Sequence, residues 1–550
     1  MPVAKFFYIR RKFIATPFHI DPKRAKRMEE PFWYSLALII FTLLLKLSIA
    51  KITRKHNNFP PSPPYLPIIG HLHLLKQPIH RTLQALSGKF GKLRLLRWGS
   101  RRVLLVSSPW VAEELFTKHD IIFANRPRLL IGKHLAYDFT TVTLAPYGDL
   151  WRNLRRIMTL ELFSASRLAQ FSSIRQGEVR LLLNEIMKKS CTESKTKIEL
   201  KSKFTETKIE LKSKFTELSF NVMTMMIGEN VLDVEEAKNI QKVIRDEVDL
   251  SGATNLGEFF PFLQWIDITG IEKKMVSLMA EMDSFLQGLV EERPEILSTK
   301  CGSNGKELQF YTDEIIKGII LVMLVAGTDT SSTTLDWAMA LLLNHPETME
   351  KVRAEIEAKI GQRTSVGRAR LAKAHLLTEA SEDCVVGGFD VPRHTMLFIN
   401  AWAIHRDPEV WEDPTRFEPE RFEGWSGDGS EGYKLIAFGA GRRGCPGAAL
   451  ANRLIGLALG TWIQSFEWER ISEENVDTSE GLGLSMPRAQ PLEAMCKPRA
   501  IIPHIGKTPC TRVLLPIRFE NAKYSDWLKF EFIFVHYLLH SRSQGGDCFV

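Results

Sequence analysis

From Phe32 to Ala50 the chain is apolar at almost every position, and a helix drawn through these 19 residues has no polar face. At ~1.5 Å per residue it would reach ~28 Å, about the thickness of bilayer hydrocarbon. A membrane helix is predicted here, with Phe32, Trp33 and Tyr34 at an interface and Lys46 reaching out from near its far end. The next stretch, "FPPSPPYLPIIGHLHLL" (59–75), is rich in proline and predicts a stiff extended spacer. Its His71 and His73 have no third ligand nearby, so packing or a surface position is expected of them, not metal binding. "KLRLLRWGSRRVLLVSS" (92–108) predicts a hairpin around Gly99-Ser100, after which Ser108 and Pro109 open a helix running to Lys118. Most of the remaining chain is helical in pattern. Its longest signal, 313–344, is apolar nearly all round and predicts a helix through the core. Gly327, Thr328, Asp329 and Thr330 interrupt that pattern, and polar residues at such a depth need a reason. "TKIELKSKFTE" occurs twice, at 196–206 and 207–217. This reads as a recent duplication in a loop or helix end, where insertions are tolerated; a solenoid would need more copies.

Charge changes the picture at the N-terminal end. The formal net charge is +9, yet residues 1–27 hold eight Lys/Arg against the single acid Asp21, which leaves +2 for the other 523 residues. The basic balance therefore belongs to one terminal segment, and no nucleic-acid partner is expected, since that would want a basic face on the folded domain. Met28, Glu29 and Glu30 precede the apolar span, and Lys51, Arg54 and Lys55 follow it. Read from Met28, the positive flank is C-terminal and the bulk of the chain faces the cytosol. Residues 1–27 are expected to be an extension, with a transit peptide as the alternative. The 7 cysteines include no CxxC pair, which favours free thiols in a reducing compartment. At 550 residues, 44% hydrophobic and 25% charged, the chain is ordinary and globular in composition.

The chemistry concentrates in "YKLIAFGAGRRGCPGAALANRLIGLALG" (433–460). Gly439, Gly441 and Gly444 spell GxGxxG between a strand-like run and a helical one, and Glu467 lies where a ribose-binding acid belongs. Too little patterned chain follows Gly460 for the further βα units of a dinucleotide fold. Arg442, Arg443 and Cys445-Pro446 also crowd the place of the pyrophosphate. The competing spacing, Phe438-x-x-Gly441-x-Arg443-x-Cys445-x-Gly447, gives every residue a task beside a heme. Cys445 would ligate the iron as a thiolate and favour O–O cleavage. Gly441 and Gly447 would let backbone N–H groups approach the sulfur, and Phe438 would screen it from water. Arg443 would pair with a propionate, and Pro446 would start a helix whose N-terminal dipole faces the sulfur. O2 activation at a heme also needs protons delivered in order. Thr330 can hydrogen-bond the oxygen, Asp329 can relay protons from solvent, and Gly327 would open a groove beside the heme.

With these residues together, the sequence resembles the cytochrome P-450 monooxygenases. "AGTDTS" (326–331) resembles the family's oxygen-activation segment. "WRNLR" (151–155) resembles the WxxxR helix that holds a propionate through Trp151 and Arg155. "FEPERF" (417–422) is similar to the PERF segment. "NAWAIHRDP", "MPRAQPLEAMCKPR" and "LPIIGHLHLL" resemble the plant flavonoid- and isoflavonoid-hydroxylating branch, which includes isoflavone 2'-hydroxylases. The resemblance implies a mostly α fold with a small β part, the cytochrome P-450 fold, behind an N-terminal single-pass membrane anchor. It divides the chain into a basic extension (1–27), anchor and basic flank (28–55), proline-rich hinge (56–75), heme-binding monooxygenase domain (76–504) and an atypical tail (505–550). It further implies heme b with iron on Cys445 and electrons from NADPH-cytochrome P-450 reductase. The substrate would be a small apolar, phenolic, isoflavonoid-like plant metabolite, oxidised with O2 at the endoplasmic reticulum membrane. Segments 126–143, 252–262 and 322–330 would line its pocket.

One family feature is missing. A Glu-x-x-Arg helix should precede the PERF segment, yet residues 363–380 hold neither that motif nor the helix and strand expected after it, an internal deletion. Glu350 and Arg353 spell the motif one helix too early, an accidental match. Arg421 is then expected to be left unpaired, and breaking such a buried network typically costs ~3–5 kcal/mol. The alternative reading is therefore a catalytically inactive, heme-poor membrane pseudoenzyme.

Overall fold

The computed structural model describes residues 58–192, 207–228, 232–291 (254, 264, 266 and 268 aside), 312–360, 376–422 and 429–499, with Tyr34, Ser35, Leu38, Phe41 and Thr42 of the apolar span. The predicted extension (1–27), most of the predicted membrane helix, the first repeat copy (196–206) and the tail from 500 lie outside these residues. The chain divides into two compact units, Met1–Phe59 and Pro60–Val550, and the elements labelled here belong to the second. They are mostly helical with a small β part, as expected. The helices that position the site are α1 (Pro109–Thr117), α2 (Asp149–Arg156), α3 (Leu211–Gly228), α4 (Val234–Ser251), α5 (Ile271–Glu291), α6 (Asp313–Asn344), α7 (Pro346–Ile360) and α8 (Ala448–Ser465).

α6 is the axis of the domain. It is the one helix among the described residues long and apolar enough to cross a membrane, but residues 331–343 are all buried within the protein. It runs unbroken through the polar interruption, because the hydroxyls there turn back onto the preceding turn. Thr330 Oγ1 donates to the Ala326 carbonyl at 2.5 Å, Thr334 Oγ1 to that of Thr330 at 2.8 Å and Ser332 Oγ to that of Asp329 at 3.1 Å. α3 lies against it at Gly327, where a Cβ would run into Met223 Sδ. The glycine thus serves a close helix contact, not the groove expected of it. α6, α3 and α8 share one hydrophobic core, with Phe215, Leu335, Leu454 and Trp462 at its centre.

Among the described residues the β part comprises nine strands. β1 (Leu93–Trp98) and β2 (Arg101–Val106) form the predicted hairpin, and Gly99 takes φ +56° in the turn. β3 (Thr207–Glu210), β4 (Leu376–Glu379), β5 (Cys384–Val386), β6 (Phe389–Val391), β7 (Met396–Ile399), β8 (Phe466–Glu469) and β9 (Glu493–Pro498) complete the set. One sheet has the order β1-β2-β7-β4, with β2 and β7 parallel; a second is β3-β9-β8 and a third pairs β5 with β6. α1 begins at Pro109 as read, but Ser108 makes no side-chain cap. His71 is packing, as expected: its Nδ1 accepts the Arg97 N–H at 2.8 Å and its Nε2 lies 3.0 Å from the Pro63 carbonyl. The Leu95 N–H donates to the Pro61 carbonyl at 3.2 Å, so the proline-rich stretch lies on β1 from Pro61 onward and is not a free spacer there.

Two expectations are corrected near the departures from the family pattern. The strand thought absent from 363–380 is present: β4 pairs antiparallel with β7, Leu377 opposite Phe398. Arg421 is also not unpaired. Its guanidinium donates to the carbonyls of Glu412 (2.7 Å), Asp413 (3.1 Å), Arg416 (3.2 Å) and Glu418 (3.3 Å), and meets the Glu418 carboxylate at 3.3 Å. The tight turn before it curls its own backbone around the charge. Glu350 and Arg353 pair with one another along α7, and Arg353 Nε lies 3.5 Å from the Ile463 carbonyl. They do not meet Arg421, in keeping with an accidental motif. The second repeat copy forms β3 and the first turns of α3, so of the two expected places it takes a helix end, with a strand before it and with Ile209, Leu211 and Phe215 buried. That copy runs directly into the apolar 218–226 stretch, much of which α3 buries.

Candidate active site

The loop before α8 is built by backbone bonds. Cys445 N–H donates to the Phe438 carbonyl at 2.8 Å and Gly444 N–H to that of Gly441 at 3.0 Å. Gly439 and Gly441 take φ +72° and +62°, a region that favours glycine. What Gly441 makes room for is Asp120: a Cβ there would run into its carboxylate. Asp120 accepts the Arg442 N–H at 3.0 Å and pairs with Arg442 Nε at 2.8 Å, gripping the loop from the end of α1. Upstream, His405 Nε2 accepts the Ile436 N–H at 3.0 Å. Complete burial, reinforced by Arg406, pushes that imidazole down to about 3, so it stays a neutral acceptor. α8 begins at Ala448 with Gly447 as its N-cap, two residues later than a start at Pro446. Gly447 lies beside the sulfur, and a Cβ there would sit 4.0 Å from Cys445 Sγ. Cys445 and Phe438 are each half-buried.

Three guanidiniums converge on this loop. Arg443 donates to the carbonyls of Ala124 (2.7 Å), Val142 (3.3 Å) and Ala145 (2.6 Å) and lies 4.5 Å from the Trp151 ring centroid. Trp151 is buried in α2, and its indole N–H goes to the Val142 carbonyl at 3.1 Å. Arg155, one turn along α2, bonds the Gly444 carbonyl. Arg126 bonds the carbonyls of Thr143 (3.0 Å) and of Leu377 in β4. Burial lowers all three, and the mutual repulsion of Arg126 and Arg155 with Arg443 helps bring Arg443 down to about 9. No carboxylate pairs with any of the three among the described residues. A cationic cluster so placed beside a half-buried thiol fits a ligand that brings two carboxylates, as heme does. Arg155, Arg443 and Trp151 were singled out from the sequence; Arg126 and Asp120 were not, because nothing local marks an Arg or Asp that acts across the fold.

On the α6 side, Thr328 is buried, whereas Asp329 and Thr330 are half-buried and Ala326, one turn before Thr330, is exposed. The Thr330 proton rests on the Ala326 carbonyl, and both oxygen lone pairs of that hydroxyl remain available to accept.

The comparisons agree with this geometry. The family model described as Cytochrome P450 matches residues 60–492. A Catharanthus roseus protein named cytochrome P450 81Q32 is 46% identical over 85% of this chain and 96% of its own length. Isoflavone 3'-hydroxylase of Medicago truncatula is 41% identical, over 86% of this chain and all of its own. Isoflavone 2'-hydroxylase of Glycyrrhiza echinata is 39% identical, over 86% and 98%. A zebra fish cytochrome P450 structure with abiraterone superposes with TM-score 0.62 at 22% identity, covering 77% of this chain and 100% of that one, a likeness of fold. By sequence and by fold, the chain belongs to the cytochrome P450 family of heme-thiolate monooxygenases.

Proposed function

We propose that this protein inserts one oxygen atom from O2 into a small apolar phenolic metabolite of the isoflavonoid kind. Its electrons come from NADPH through NADPH-cytochrome P-450 reductase, at the endoplasmic reticulum membrane, where the 31–50 span anchors it with the domain on the cytosolic side. The observation that carries the reading is the convergence of Cys445 with three guanidiniums that no acid neutralises among the described residues. Heme b held there supplies O2 binding and thiolate-assisted O–O cleavage. Cys445 would hold the iron through its thiolate, while Arg155, Arg443 and Arg126 would take the propionates, with Trp151 supporting Arg443. Phe438 screens the sulfur, and Gly441 and Gly447 shape the loop around it. Thr330 would hold a proton at its hydroxyl, and Asp329 would relay protons to it from solvent. The isoflavonoid class is supported by the names of the Medicago and Glycyrrhiza relatives. A Sesamum radiatum relative, 41% identical, is named (+)-piperitol/(+)-sesamin synthase, so lignan phenols belong in the same test panel.

A heme-poor pseudoenzyme is the second reading, favoured by one observation: residues 361–375, which separate α7 from β4, contain no Glu-x-x-Arg. Against it stands Arg421, which is satisfied without that helix. Co-expression of the full chain with the reductase separates the two. Stoichiometric heme, a thiolate-type carbon monoxide band and hydroxylated isoflavone are expected. Folded chain with almost no heme would establish the pseudoenzyme. Heme and the band with turnover of lignans alone would reassign the substrate.

A further inference from the structure

Arg126 Nε donates to the Thr143 carbonyl at 3.0 Å and closes the neck of a loop, 127–142. Surface loops whose ends meet in this way are compact and frequently functional. The neck is built into the candidate site: the Val142 carbonyl accepts from the Trp151 indole and from Arg443, and Val142 belongs to the main hydrophobic core. The head of the loop lies elsewhere. The Tyr137 hydroxyl donates to Asp283 Oδ1 of α5 at 2.5 Å, and Lys317 Nζ of α6 donates to the same oxygen at 2.6 Å. That ammonium also stands 5.4 Å from the Tyr137 ring centroid, and a Cβ on Gly318 would sit 3.8 Å from the ring. Lys317 precedes Ala326 on α6 by about two and a half turns. The loop therefore reaches from the guanidinium cluster to a point on α6 beyond the exposed Ala326.

What holds the head is polar. The Leu130 N–H donates to Glu258 Oε1 at 2.8 Å, and Glu272 of α5 meets His134 at 2.7 Å and Lys133 at 3.4 Å. Leu135 and Ala136 are buried, yet they take no part in the hydrophobic cores formed by the described residues. The backbone resists its own shape: Tyr137, Asp138 and Phe139 take φ +46°, +48° and +64°, a region that side chains with a Cβ rarely adopt. Such conformations persist where the surroundings impose them, and they collect at clamps and switches. Phe139 is imposed by the hollow at Gly132, where a Cβ would run into its ring. Tyr137 is imposed by Asp283. Burial would raise the Asp283 carboxyl, but Lys317 and Tyr137 outweigh it and hold it below its ordinary value.

We propose that 127–142 is a strap over the substrate pocket, hinged at the Arg126–Thr143 neck and held shut by Asp283, which thereby governs how fast ligands enter and leave. The substrate pocket itself rests on the monooxygenase reading above. Opening exchanges the Asp283 bonds for water and relaxes the left-handed residues, while the neck keeps its place in the core.

Two arms test it. In the heme-loaded full chain, stopped-flow binding of 4-phenylimidazole, whose nitrogen ligates heme iron, reads the strap directly. Asp283→Asn is expected to speed association and release alike, each about tenfold, as for one lost bond to a charged group, with Kd nearly unchanged. Tyr137→Phe, which removes one bond and keeps the ring, gives the same pattern at about threefold. Unchanged rates in both variants overturn the proposal, and so does a changed Kd with one rate moved, which would mean direct contact with the ligand. The second arm needs no heme. Amide hydrogen exchange of Asp138 and Phe139, whose N–H groups donate to the Lys133 and Gly132 carbonyls at 3.3 and 2.8 Å, should quicken in both variants while the β1-β2 hairpin stays as it was. Exchange equal to the wild type, or quickened throughout the domain, overturns the proposal. A wild type without the heme band overturns the proposed function instead, and the exchange arm still decides whether Asp283 holds the strap.

Discussion

Arg443 and Arg421 make an instructive pair. Both guanidiniums are surrounded by backbone carbonyls, three for Arg443 and four for Arg421. Carbonyl dipoles solvate a cation but do not neutralise it. Arg421 closes its charge with Glu418. Among the described residues the charges that act on Arg443 are Arg126 and Arg155, and they repel it. The same residue type with the same acceptors is therefore a finished structural knot in one place and an anion receptor in the other. What separates them is the presence of one carboxylate.

Removing the ligand itself should have the largest effect. Cys445→Ala is expected to abolish the thiolate band and all oxidation while the three guanidiniums stay in place; residual turnover would break the whole assignment. Next comes the arginine comparison. Arg443→Ala should weaken heme retention about 10–100-fold, since a hydrogen bond to a charged group contributes ~1.5–3 kcal/mol, with little change in the stability of the heme-free fold because losing a charge repelled by Arg126 and Arg155 offsets the loss of its three carbonyl bonds. Arg421→Ala should do the reverse, destabilising the fold by ~2–3 kcal/mol by orphaning its carbonyls while the folded fraction keeps its heme. Equal heme loss from both at matched stability would erase the distinction. A comparable but pH-dependent effect is expected at His405. Its folded value of about 3 lies below the ordinary 6.5, so as pH falls from 6.5 toward 3 only the unfolded chain takes up that proton and stability drops. The slope is at most ~1.4 kcal/mol per pH unit. His405→Gln keeps an acceptor for the Ile436 N–H and should remove about 2 kcal/mol of the loss between pH 7 and pH 5, as denaturant titrations at the two values would show. The smallest effect belongs to the repeat. Deleting 196–206 yields the same chain as deleting 207–217, and shortening that connection should change stability by less than ~1 kcal/mol.

How much was legible follows from range. The hairpin turn at Gly99-Ser100 and the 313–344 helix were readable because periodicity and turn chemistry act over a few residues. The Cys445 loop was readable because its spacing is a local shape around one sulfur. The partners of that loop were not. Asp120 meets Arg442 across 322 residues of chain, and Arg126 meets Leu377 across 251; no local pattern encodes such meetings. Gly327 was taken for a groove-former and is a seat for Met223. Arg421 was expected to lack partners because its usual ones are missing, but backbone carbonyls are on offer at any sequence, and a tight turn can gather them.

By itself the sequence determined which atoms could carry the chemistry: a thiol in a glycine-bearing loop, an acid and an alcohol at adjacent positions of a long apolar helix, and arginines at set spacings from both. It also settled where that helix starts and stops, because burial of an all-round apolar surface leaves no other solution. Only the tertiary structure decided which charges would be neutralised and which left open, that Lys212 of a duplicated segment would reach the Thr333 and Ser332 hydroxyls, and that β4 would pair with β7. The reason is physical. Periodicity is a property of neighbours along the chain, whereas charge balance and close packing are properties of neighbours in space, and these are chosen when the helices and sheets come together.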